Sequence, residues 1–220
     1  MDKNTAVIIL GTAHLTTTPG KCSPDKKFRE CVYSREIVSR VATSLKNLGY
    51  KVFVDYPDLN PNAQMKGATW KQEQSRELTW RSNYVNSLCA KYGTANCMYV
   101  SIHVNAAGAD SKWHDARGWA VYTSPGKTNS DVLATLLFYE AKNLLPHDSK
   151  YYVRADWSDG DPDYEAKFHV LTKTKCPAVL TENLFQDNKD DVAYLTSEAG
   201  KQTITKIHVD GIVKYIAQKK

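Results

Sequence analysis

The chain has 220 residues, 42% hydrophobic and 24% charged, with a formal net charge of +5. That length suits one α/β domain with a full core, or at most two small ones. No apolar run approaches the ~20 residues that span a bilayer, and the cations are scattered rather than massed on one stripe as in a nucleic-acid binder, so neither membrane insertion nor nucleic acid is expected.

In chain order, residues 5–10 form a continuous apolar run closed by Gly11, the pattern of a buried strand. A Thr-, Pro- and Gly-rich loop leads to an amphipathic stretch, Val32, Ile37, Val38, Val41, Leu45 and Leu48, ended by Gly49. This is a helix with a glycine C-cap. Residues 51–55 predict a short strand and residues 56–69 a loop. Residues 71–91 predict a helix with Leu78, Val85 and Leu88 inward, and residues 96–103 a third strand. Further strands are expected at 118–123 and 177–181, with helices at 129–145 and 197–216. Between them, residues 147–167 are irregular and carry Tyr151, Tyr152, Trp157 and Tyr164. Alternating strands and helices predict an α/β fold: a mainly parallel twisted sheet with helices on both faces. With no internal repeat or linker, residues 1–220 read as a single domain. Five cysteines (Cys22, Cys31, Cys89, Cys97, Cys176) form no CxxC pair and are odd in number, so they read as reduced, structural thiols.

In open α/β sheets, functional sites gather at the carboxyl ends of the strands. His14 lies just past the first strand, His103 ends the third, and Glu182 ends the strand 177–181. Glu30 stands where the first loop meets the first helix. Two imidazoles and a carboxylate suffice for a catalytic zinc with an open position, and a further carboxylate can act as general base. Each residue also has a plainer reading. A strand-end histidine can be a hydrogen-bonded structural residue, and Glu30 can merely complement a helix N-terminus. A charge at the end of a buried strand, as at Glu182, needs a partner.

Four segments carry a resemblance to a known family. They are 7–14 (VIILGTAH), 19–38 with Glu30 and Ser34-Arg35-Glu36, 100–106 (VSIHVNA), and 176–188 (CPAVLTENLFQDN). In this order and spacing they resemble the zinc-dependent N-acetylmuramoyl-L-alanine amidases of bacteria and their phages, the autolysin and endolysin type. The resemblance implies that His14, Glu30 and His103 hold Zn2+ and that Glu182 is the catalytic acid/base. Asn105 belongs to the third motif and is expected to orient a ligand or touch substrate, or to serve a turn. Glu36 is the rival to Glu30, but can pair instead with Arg40 at i+4. One departure stands out. The glycines that commonly flank the first histidine are replaced by Ala13 and Leu15, so the loop around His14 is expected to be shaped differently.

The implied activity is hydrolysis of the amide between N-acetylmuramic acid and L-alanine in peptidoglycan. A zinc peptidase cutting another peptidoglycan amide, or a non-catalytic wall-binding module, are the alternatives. No signal-peptide core is visible at the start. The expectation is a protein made in the cytoplasm that meets the wall after release, as a phage endolysin does, with a host autolysin as the rival. His114, His147, His169 and His208 have no motif support and read as surface or hydrogen-bonded residues. Trp113, Trp119 and the aromatic stretch 151–164 either line a groove or pack on their own domain.

Overall fold

The first apolar run becomes strand β1 (Val7–Thr12), with every residue buried. The other strands are β2 (Lys51–Val54), β3 (Cys97–Asn105), β4 (Ala120–Thr123), β5 (Tyr164–Glu165) and β6 (Ala178–Phe185). They form one sheet in the order β2-β1-β3-β6-β4-β5. β1 pairs in parallel with β2 and β3, and β3 in parallel with β6. Parallel strands covered on both faces have no polar side, which is why they read as unbroken apolar runs. At the far edge the direction reverses: β4 is antiparallel to β6, and β5 is parallel to β4. The sheet is therefore mainly parallel, as the alternation predicts, with a reversed edge. The computed structural model describes residues 2–147 and 152–218. Tyr151 of the aromatic stretch lies outside them.

The helices are α1 (Glu30–Asn47), α2 (Trp70–Tyr92), α3 (Asn129–Leu144), α4 (His169–Thr172), α5 (Lys189–Thr196) and α6 (Glu198–Gln218). α1, α3 and α6 cover one face, and α2 and α4 the other. Strand periodicity sorts the side chains between them. Ile8, Leu10, Val100, Ile102 and Val179 join the α1 side, whereas Val7, Ile9, Tyr99 and Leu180 join the α2 side. By the same period of two, Ser101 and His103 follow Tyr99, and Glu182 follows Leu180. Among the described residues no helix is long and apolar enough to cross a membrane.

Several local expectations are adjusted by packing. Val32 is exposed, because it lies about 140° round the helix from Ile37 at 3.6 residues per turn. The closing helix is preceded by α5, which Asn188 caps by accepting from the N–H groups of Asp190 and Asp191. His103 and Glu182 do not end their strands: β3 continues to Asn105 and β6 to Phe185. The register steps from His103↔Glu182 to Asn105↔Phe185 across a bulge, with Leu184 at φ 63°. Asn183 makes this continuation possible. Its Nδ2 donates to the His103 carbonyl at 2.8 Å, and its Oδ1 accepts from Trp119 Nε1 at 2.7 Å.

His208 on α6 is fully buried, with Nδ1 2.7 Å from the Ile204 carbonyl and Nε2 2.9 Å from Thr181 Oγ1. Burial drives its pKa from 6.5 down to about 4. Between those values the unfolded chain binds the proton and the folded chain does not. Acidification through this window therefore lowers stability, by up to about 1.4 kcal/mol per pH unit. In paired thermal melts at pH 7 and pH 5, the wild type is expected to lose more Tm than His208→Gln; equal losses would remove His208 from the linkage.

Candidate metal centre

His14 on the loop after β1, Glu30 at the start of α1 and His103 on β3 converge. One ligand atom from each lies within 4.8 Å of the other two. His103 Nδ1 is 3.0 Å from Glu30 Oε1, and His14 Nε2 is 3.6 Å from Glu30 Oε2. The two imidazoles meet edge to face, with centroids 5.1 Å apart. Glu30 is only 1% exposed. Its Oε1 accepts the Val104 N–H at 3.1 Å, while Oε2 has no hydrogen-bond partner. Ser101 Oγ holds His103 Nε2 at 3.1 Å, so that Nδ1 is the nitrogen turned to Glu30. Burial, against the pull of Glu30, brings the His14 pKa down to about 3. Burial pushes the Glu30 carboxyl up, but His14 and His103 outweigh it and bring it to about 2. A neutral imidazole beside an ionised carboxylate is the protonation state a divalent cation requires.

The loop carrying His14 is strained and clamped. His14 sits at φ 42°, a left-handed conformation that costs an L-residue ~1–2 kcal/mol. The preceding backbone is held by side chains from two elements. Thr12 N–H donates to Asp55 Oδ1 at 3.0 Å, and Ala13 N–H donates to Ser34 Oγ at 2.8 Å. Ser34 Oγ in turn donates to the Ile102 carbonyl at 2.6 Å, and Arg35 Nη1 donates to the Ala13 carbonyl at 2.8 Å. Asp55 is itself anchored by Arg81 at 2.7 Å and by the Tyr99 hydroxyl at 2.8 Å. Arg81 also donates to Glu77 Oε1 from Nε and Nη2, at 2.9 and 2.7 Å. Gly11 is required above this cluster, since a Cβ there would lie 2.2 Å from the Tyr99 hydroxyl. Sequence reasoning missed Asp55, Glu77 and Arg81. The available signal was the i,i+4 spacing of Glu77 and Arg81, with Arg81 four residues before the inward Val85 on the buried stripe of α2.

Glu182 is the register partner of His103 and emerges on the same face of the sheet. Burial first, then the charge of Glu30, pushes its carboxyl well above the usual carboxylate range, with Lys21 opposing. Its Oε2 has no hydrogen-bond partner. A cleft of about 260 Å³ joins His14, His103 and Glu182 to Lys21, Glu77 and Arg81, with Phe168 and His169 on its rim. A larger groove of about 540 Å³ between α1 and α6 contains none of these groups.

Apart from His169, the remaining candidates lie elsewhere. Asn105 Oδ1 accepts the Ala106 N–H at 2.8 Å, a turn contact, and Asn105 is not among the residues lining the cleft. Glu36 pairs with Arg40 at 3.0 Å and with Lys201 at 2.9 Å. His114 pairs with Asp110, and His147 is exposed. His169 lines the cleft, a position that no sequence signal marked. Trp119 is buried, Trp157 packs edge-on against Phe138, and Tyr164 packs against Tyr122. The five cysteines are unpaired, and all but Cys22 are buried.

Fold and site together define an α/β protein with a candidate three-ligand metal centre at the carboxyl edge of its parallel strands. A family model described as N-acetylmuramoyl-L-alanine amidase matches residues 8–214, and the chain belongs to that family. The N-acetylmuramoyl-L-alanine amidase CwlM of Bacillus licheniformis is 34% identical over 142 residues, covering 64% of this chain and 47% of that protein. The endolysin of Bacillus phage SPP1 is 29% identical over 156 residues, covering 69% of this chain and 54% of that protein. The chain thus spans about half the length of the curated relatives it matches. Among solved structures, the CwlD amidase from Clostridioides difficile, determined with the GerS lipoprotein, superposes with a TM-score of 0.72 at 21% identity, covering 97% of this chain and 99% of that one. At that identity the likeness establishes the fold.

Arg81 is 2% exposed and Asp55 3%, so removing the guanidinium leaves two buried carboxylates without their cation. Arg81→Met is expected to lower unfolding free energy by about 3–5 kcal/mol, read from denaturant melts. A loss below about 1 kcal/mol would mean that the cluster does not hold this edge of the sheet.

Proposed function

We propose that this chain is a zinc-dependent N-acetylmuramoyl-L-alanine amidase domain, which hydrolyses the amide between N-acetylmuramic acid and the L-alanine of the stem peptide. The observation that carries the reading is the convergence of His14, Glu30 and His103 beside Glu182, inside a chain of that family.

The donor set fits zinc. Two imidazole nitrogens and one carboxylate oxygen are available, and buried Glu30 Oε2 lacks any hydrogen bond. His14 and Glu30 carry the protonation states that ligation needs. Ser101 fixes the orientation of His103 through its other nitrogen. The chemistry zinc supplies in such a set is Lewis-acid polarisation of a carbonyl and a lowering of the pKa of water towards ~7. Glu182 carries the proton. Burial raises this carboxyl above the usual carboxylate range, so it holds a proton more readily and is suited to return one as well as take it. It takes one from the attacking water and delivers it to the alanine nitrogen as the C–N bond breaks. Arg81, Asp55, Ser34 and Arg35 hold the His14 loop. Asn105 remains a secondary candidate: Oδ1 accepts the Ala106 N–H, and its amide Nδ2 is a donor that could meet substrate.

The finer role is that of a phage endolysin acting on the cell wall, supported by the match to the SPP1 endolysin. The similarly strong match to a bacterial amidase keeps the autolysin role as the competing outcome. In cells expressing the chain, the endolysin reading expects lysis after the membrane is permeabilised and none before.

Glu182→Gln is expected to retain zinc while turnover on purified muropeptides falls by about 10²–10⁴-fold. His103→Ala is expected to lose the zinc, as metal analysis of the same preparations will show. The products of the wild type must be stem peptides released with new L-alanine amino termini, and a glycan left intact. New termini at any other residue would favour a zinc peptidase instead. Full activity in Glu182→Gln would overturn the assignment of the proton carrier.

A further inference from the structure

Three cysteines meet at the amino ends of β3 and β6, the opposite end of these strands from the metal centre, and the proposed mechanism uses none of them. Cys97 opens β3, and Cys176 stands two residues before β6. Tyr99 and Ala178 are register partners, and the Tyr99 N–H donates to the Pro177 carbonyl at 2.9 Å. Two residues back along each chain, Cys97 and Cys176 face the same side of the sheet as Tyr99, the α2 side. Cys89 meets them from α2. All three belong to the apolar cluster under that helix, and each is buried. The Cys89 thiol makes side-chain hydrogen bonds with both Cys176 and Cys97. A separate contact fixes this docking. Asn86, nearly one turn earlier on α2, donates from Nδ2 to the Lys173 carbonyl at 2.8 Å and accepts the Lys175 N–H at Oδ1 at 2.9 Å. The turn that leads to Cys176 is thus pinned to α2 beside Cys89.

A single buried cysteine ordinarily serves as a small apolar side chain. Contact among three makes the thiols unlike one another. The hydrogen bond from Cys176 above all, with help from Lys175, brings the pKa of Cys89 down to about 7. The same bond, with burial, pushes Cys176 above the usual thiol range, and burial raises Cys97 to about 12. Cys89 is therefore the sulfur that carries thiolate and attacks, and Cys176 the thiol that follows. We propose that Cys89 and Cys176 form a reversible disulfide site, open in thiol-rich surroundings and closed by a peroxide, which latches α2 to the chain entering β6. In the first step the Cys89 thiolate attacks one oxygen of hydrogen peroxide, the O–O bond breaks, and Cys89 sulfenic acid and hydroxide result. Cys176 then gives up its proton, attacks the Cys89 sulfur and expels the second oxygen. Two thiols lose two electrons and two protons, and one peroxide becomes two waters. The bond would close the long loop from residue 89 to residue 176 and so restrict the unfolded chain. Because His103 and Glu182 stand at the other end of β3 and β6, closing it leaves them in place. The inference does not depend on the amidase reading.

The test uses the zinc-loaded chain carrying Cys22→Ser, which removes the one cysteine that is not buried. Brief treatment of the folded protein with hydrogen peroxide is expected to consume two thiols, and peptide mapping without reduction to find Cys89 joined to Cys176. Tm should rise by about 5–10 °C on closure and fall back with dithiothreitol, while turnover on muropeptides stays within about twofold. Cys97→Ala is expected to keep the bond, and Cys176→Ala to lose both the bond and the gain in Tm. A bond from Cys89 to Cys97 would overturn the assignment, as would sulfinic acid at Cys89 without any bond, or thiols that all survive peroxide in the folded protein. A Cys89–Cys176 bond that leaves Tm unchanged would overturn the latch. The mapping is made on a chain whose three clustered thiols are intact, so it decides the matter even if an alanine variant fails to fold.

Discussion

One buried carboxylate governs the architecture of this site. Glu30 is taken out of water at the first residue of α1, and an ionised group in that position must be compensated on every side. The Val104 N–H and His103 compensate Oε1, and His14 faces Oε2. These three contacts come from two segments remote in sequence, β3 and the loop after β1, so the same charge that shapes the candidate cation site also docks α1 against the ends of β1 and β3. Oε2 is left with an imidazole at 3.6 Å and no hydrogen bond. That residual deficit fits a divalent ion better than a self-contained structural ion pair.

Beneath this carboxylate lies a second charged layer whose task is mechanical. Members of the family commonly surround the first histidine with glycine, which turns easily. Here Ala13 and Leu15 are buried, and the left-handed turn falls on His14 itself. A turn of that kind persists only when its surroundings over-determine it. Ser34 and Arg35 from α1, and Asp55 backed by Arg81 and Glu77, supply that constraint from both faces of the sheet. The loss of glycine freedom is thus offset by side-chain hydrogen bonds to the backbone at Thr12 and Ala13. A preorganised ligand needs such a supporting shell.

The surroundings of Glu182 follow from the sheet rather than from local chemistry. Parallel register sets Glu182 beside His103, and the bulge beyond them lets β6 continue past a charge without abandoning its pairing. Lys21 then joins the cleft to a second cavity lined by Gln186 and Asp187, just after the end of β6. Glu182 and the buried pair Gln186 and Asp187 are therefore four to five residues apart on one continuous segment. Their relative placement depends on a single strand and the turn that follows it.

Much of this was legible in the chain alone. Apolar runs at β1, β3 and β6 are readable because strands covered on both faces must be apolar throughout, and α1 and α3 are readable because a helix with one buried stripe must repeat at 3.6 residues. His14, Glu30, His103 and Glu182 stood out as polar groups at the ends of such segments, and the family motifs around them supplied an order. What the sequence could not express is anything that depends on contact between distant segments. The reversed edge at β4, the two-residue β5, the bulge at Leu184 and the Asp55–Arg81–Glu77 cluster each rest on pairings across tens of residues. No local period records those. Asp55 and Arg81 look like ordinary surface charges until the fold encloses them together; Gln186 and Asp187 look like turn residues until the loop carrying Lys21 closes over them. Local hydrophobic pattern determined the elements, and burial, which only the assembled sheet and helices create, decided which polar groups became a site.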